Sequence, residues 1–105
     1  MSVNSKNGKV ITESTAINYT HSFQRKDPNA ASAYFVGLEK IKIILEQENC
    51  IGVRIYDGYD ADTEKENRVL VGVDHKGEDM VEGVIVEELI ICPHDCPKSS
   101  PLLNR

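Results

Sequence analysis

Residues 38–57 read LEKIKIILEQENCIGVRIYD, and within them the spacing of apolar residues changes once. Leu38, Ile41, Ile44 and Leu45 recur at helical spacing, with Glu39, Lys40, Lys42 and Glu46 on the other faces. From Ile51 the period becomes two: Ile51, Val53 and Ile55 alternate with Gly52, Arg54 and Tyr56, as in a half-buried strand. Between them, Asn49 suits the left-handed position that closes a helix. A helix running directly into a strand is therefore the centre from which the rest is read.

Downstream, "RVLVGVD" at 68–74 repeats the strand form, with Val69, Val71 and Val73 on one face. The stretch between the two strands, "GYDADTEKEN", is polar and too long for a tight hairpin turn. "DHKGED" is a second turn, with Gly77 available for positive φ. "VEGVIVEELII", residues 81–91, predicts a third strand with a bulge at Gly83. Upstream, Thr12 reads as an N-cap with Glu13 in the first turn, opening a helix that Pro28 closes at Asp27. "ASAYFVG" is a short apolar run that periodicity alone does not assign.

The order predicts an α+β fold: two N-terminal helices packed on an antiparallel meander of three strands, four if "AYFV" joins it. Residues 1–9 are expected to be a flexible lead-in, 10–97 a single α+β domain and 98–105 a flexible tail. At 105 residues there is room for one core of ordinary globular composition, 40% apolar and 28% charged.

Bulk properties exclude more than they identify. A net charge of −5 argues against non-specific nucleic-acid binding, which needs a positive surface. Mimicry of nucleic acid would need longer acidic runs than these. The N-terminus has no apolar signal-like region, and "VIVEELIIC" is too short to span a bilayer, so a cytoplasmic location is expected. Three cysteines, an odd number, fit reduced thiols better than a disulfide framework.

Four constellations could carry chemistry. "ICPHDCP", residues 91–97, holds Cys92, His94 and Cys96, and a tetrahedral zinc would need further ligands, such as His75, Cys50 or Asp74. Pro93 and Pro97 prevent a regular helix that would stack the two thiols. Free thiols against a sheet edge, a short disulfide or redox pair, and a zinc clip stay open. In "DGYDADTEKE" five carboxylates fall within ten residues, but the positions of a calcium loop are filled by Lys65 and Val71 where Gly and Glu are required. Cys50 with His75 and Asp74 would supply a nucleophile, a base and an orienting acid if the strands brought them together. Arg54 and Tyr56 lie on the face opposite Ile51, Val53 and Ile55, where with Leu70 they would form a partner site flanked by Gly52 and Gly72. Arg and Tyr are residue types that dominate interface hot spots.

"AYFVG", "GVRIYDG", "VLVGVDHKGEDM" and "CPHDC" together resemble a family of short, uncharacterised bacterial proteins, chiefly from Bacteroidota, over residues 33–97. The resemblance implies no activity, cofactor or catalytic residue. It implies a C-P-x-x-C tail in which the central histidine is not required, leaving Cys92, Pro93 and Cys96 as a thiol site or fixed turn.

With no convergent catalytic set, no P-loop and no G-x-S-x-G, the chain is expected to be a small non-enzymatic binding or regulatory module. Its partner would be a protein or a second copy of itself, with no nucleic acid and no membrane. The alternative is a thiol or metal protein using Cys92 and Cys96, with His94 or His75.

Overall fold

A computed structural model describes residues 3–104 and shows an α+β chain with two helices and two sheets. Its elements are α1 (Glu13–Lys26), β1 (Ala33–Phe35), α2 (Leu38–Leu45), β2 (Cys50–Asp60), β3 (Lys65–Asp74), β4 (Ile85–Val86) and β5 (Ile90–Cys92). Contacts group the described residues into two compact units. The first is the segment ending at Asn7 together with Phe35–Leu89; the second is Gly8–Tyr34 and the chain from Ile90 onward.

The first unit is built around the predicted helix-to-strand passage. α2 ends at Leu45, and Asn49 takes the left-handed conformation at φ 69° that its short polar side chain tolerates. β2 and β3 then form a long antiparallel hairpin, to whose far side β4 pairs, giving the order β2-β3-β4. Ile44 is fully buried and packs with Leu70 and Val86, flanked by Ile41, Val53, Val84 and Leu89. Burying such a side chain contributes about 1.5–3 kcal/mol. Gln47 fastens this layer at its edge. Its Nε2 donates to the Ile44 carbonyl at 2.9 Å, and its Oε1 accepts from the Val84 amide at 2.9 Å.

Four expectations are corrected over residues 50–92. The loop between the strands is shorter than its polarity suggests, because β2 runs to Asp60 and β3 begins at Lys65. Asp60 Oδ1 accepts from the amides of Asp62 and Thr63, and Glu64 adopts φ 57°, so a turn of residues 61–64 closes the hairpin. Leu70 does not share a face with Arg54 and Tyr56. The register sets Arg54 opposite Val71, Tyr56 opposite Val69 and Ile55 opposite Leu70, so Leu70 belongs to the α2 face. Residues 81–91 are not one strand. β4 and β5 lie in different sheets, and the chain between them includes Glu88 at φ 63°. The irregularity expected at Gly83 is met instead at Cys50/Gly52, where the β2–β3 register shifts.

In the second unit, Thr12 caps α1 as expected, its hydroxyl accepting from the Thr15 amide at 3.2 Å. "AYF" is β1, and it pairs with β5 in a two-stranded sheet instead of joining the meander. Residues 100–104, expected to be a loose tail, are hydrogen-bonded to α1. His21 Nε2 lies 2.9 Å from the Pro101 carbonyl, Gln24 Nε2 donates to the Leu102 carbonyl at 3.0 Å, and Gln24 Oε1 accepts from the Asn104 amide at 2.7 Å. Polar side chains on one face of α1 thus satisfy backbone groups that composition alone leaves to water.

Candidate functional site

The turn after β3 brings a carboxylate to Arg54 and Tyr56. Asp74 organises that turn: its Oδ1 accepts from the amides of Lys76 at 2.9 Å and Glu78 at 3.0 Å, while Gly77 takes φ 84°. These bonds, the one from Glu78 foremost, hold the Asp74 carboxyl below its ordinary value. The chain then returns so that Asp79 bridges back to Val73. There Asp79 Oδ1 accepts from Arg54 Nη1 at 2.6 Å, Oδ2 accepts from the Tyr56 hydroxyl, and Arg54 Nη1 also reaches the Gly77 carbonyl at 3.4 Å.

This triad is electrostatically self-consistent. The hydrogen bond from Tyr56, then that from Arg54, lowers the Asp79 carboxyl below the usual range, and the same contacts raise the Tyr56 hydroxyl and the Arg54 guanidinium above theirs. Asp79 is the member that sequence reasoning missed. It lies 25 residues from Arg54, and only the turn at 74–79 makes them neighbours.

Beside the triad, β2 is one of the two edge strands of its sheet. A groove of about 430 Å³ is lined by Ile51, Val53, Arg54 and Ile55 of that strand, by Val73, and by Val3 and its neighbours in the N-terminal segment. It is predominantly apolar and carries one cation. Both hydrogen bonds from Arg54 to Asp79 and Gly77 come from Nη1, and its side chain keeps 34% of its surface in solvent. A guanidinium has five N–H donors, so capacity remains for an incoming acceptor. Ile55 in the groove is 62% exposed, and Tyr59, further along the same strand, is 63% exposed.

The other candidates are distributed as follows. Cys92 and Cys96 form a disulfide, with Cα atoms 4.8 Å apart, so the structure has the second of the three readings of the tail in place of free thiols. His94 is exposed within that loop, and His75 is exposed in the turn after β3. Among the described residues no three His, Cys, Asp or Glu side chains converge to hold a metal ion. A zinc clip of Cys92, Cys96, His94 and His75 thus has no assembled donor set, and two of its sulfurs are joined to each other. Cys50 lies opposite Asp74, but its thiol donates to the Gly52 carbonyl at 3.2 Å. The acidic hairpin is also committed internally, Asp57 to Arg68 at 3.0 Å and Asp60 to its own turn.

No helix among the described residues is long and apolar enough to cross a membrane. No family model matches the chain, and neither a curated protein nor a solved structure is significantly similar to it.

Proposed function

We propose that the chain is a non-enzymatic binding module that takes an extended segment of a partner protein along the outer edge of β2. The observation that supports this is the groove lined by Ile51, Val53, Ile55 and Arg54 on an edge strand. Edge strands recognise extended peptides by main-chain hydrogen bonds, while alternate side chains fill pockets. Here the chemistry favours a segment with apolar residues at alternating positions and a carboxylate opposite Arg54. Asp79 holds Arg54 and Tyr56 in place beforehand, which lowers the ordering cost of binding. The same reading has the protein act in the cytoplasm, without nucleic acid, and belong with the short Bacteroidota proteins whose "GVRIYDG" block it resembles.

The test is selection of displayed eight-residue peptides on the immobilised chain. Enriched sequences should alternate apolar residues around an Asp or Glu, and Arg54→Ala should weaken them about tenfold or more, as loss of a charge-assisted hydrogen bond does. Ile55→Asp should abolish enrichment. Peptides that bind the wild type and Arg54→Ala equally would refute the assignment. A concentration-dependent dimer lost in Ile55→Asp would identify the occupant as a second copy.

A further inference from the structure

The geometry of the C-terminal loop points to a second activity, independent of the β2 groove: we propose that Cys92–Cys96 is an exchangeable disulfide that oxidises a dithiol. The bond closes a loop of only five residues, so it constrains far less of the unfolded chain than a long-range crosslink, and stability is a weak reason for it. The two sulfurs are unequally placed. Cys92 ends β5, is 3% exposed and is fixed through its carbonyl, which accepts from the Ser32 amide at 2.7 Å. Cys96 is half-buried, lies outside any strand, and follows three exposed residues, Pro93, His94 and Asp95. An approaching thiolate therefore meets Cys96 first. The Asp95 amide donates to the Ile91 carbonyl at 3.0 Å, which closes the turn that joins the two cysteines.

The exchange balances without any other reactant. A thiolate of the dithiol attacks Cys96 Sγ; the Cys92–Cys96 bond breaks, and its electron pair leaves on Cys92 Sγ, which takes a proton from solvent. The second thiol of the reactant then attacks its own sulfur in the mixed disulfide and releases Cys96 as a thiol. The dithiol loses two electrons and becomes a disulfide, and Cys92 and Cys96 gain them. Cys50 takes no part; its thiol is directed at the Gly52 carbonyl.

The experiment treats the full folded chain with dithiothreitol over a concentration series, quenches with an alkylating agent, and locates the labels by peptide mass. Reduction should place one label on each of Cys92 and Cys96 together, at a rate proportional to dithiothreitol, with the far-ultraviolet circular dichroism unchanged. Oxidised glutathione should reverse it. In Cys92→Ser, oxidised glutathione should form a mixed disulfide at Cys96 in the folded protein and release one reduced glutathione, whereas in Cys96→Ser, Cys92 should stay unmodified until denaturant is added. Reduction whose rate levels off at the unfolding rate would overturn the proposal. So would equal adduct formation at the two positions, or a pair of thiols that oxidised glutathione does not join. If either variant does not fold, the dependence of the wild-type rate on dithiothreitol decides.

Discussion

Asp79 is the residue on which the candidate site turns. Its carboxyl, held below its ordinary value of 3.8 by Tyr56 and then Arg54, supports the folded state above that value, and the support is lost as pH falls through the lower folded value. Tyr56 behaves oppositely. Its hydroxyl is raised above 10.0, so its contribution is complete below that value and is lost as pH rises through the folded one. Tyr56→Phe removes the largest cause of the Asp79 shift; carbon-detected NMR titration should then show the Asp79 carboxyl moving up toward 3.8. Gly72 is a residue-scale constraint of another kind. A Cβ there would lie 2.9 Å from Gln47 Nε2 and 3.1 Å from Cys50 Sγ. Gln47 is already held by Ile44 and Val84 and cannot swing aside freely. Gly72→Ala should cost about 1–3 kcal/mol in urea unfolding, with an unchanged midpoint as the contrary result.

The elements show what the sequence could and could not reveal. α2 was legible because its stripe is helical and its partner face is aliphatic; Gly77 and Thr12 were legible because each residue type fits one backbone role, whereas Asn49 has the expected positive φ in the turn after the Glu46 cap and does not itself close the helix. The register of the β2–β3 hairpin was not. Which of two alternating rows shares a face with Arg54 depends on the parity set by the turn at residues 61–64, and polar composition does not encode it. Leu70 was consequently placed on the wrong face. "VEGVIVEELII" misled for a related reason: its apolar residues fit one long strand, yet it divides into β4 and β5 around Glu88 at positive φ. The register does yield a prediction at this scale. Ile44 seals the face that carries Leu70 and Val86, so Ile44→Ala should destabilise the first unit by about 2–5 kcal/mol. Thermal unfolding followed by circular dichroism would show this; a loss under about 0.5 kcal/mol, the scale of surface substitutions, would contradict the packing.

At the scale of the whole molecule, function was less legible than fold, because both candidate sites join residues that are distant in sequence or ambiguous in chemistry. The sequence named Arg54 and Tyr56 but not Asp79, and it named Cys92 and Cys96 but left their bond open among three readings. What the folded chain adds is an edge strand with a predominantly apolar groove and a held guanidinium in one unit, and a short disulfide loop in the other. The central claim is that the β2 edge receives an extended peptide. Its most direct test is amide hydrogen exchange with and without the selected octapeptide. Exchange at residues 51–55 should slow on binding, while that at residues 3–7 should quicken as the N-terminal lining of the groove yields. Protection confined to α2 or to the second unit, or no protection at all, would contradict the account.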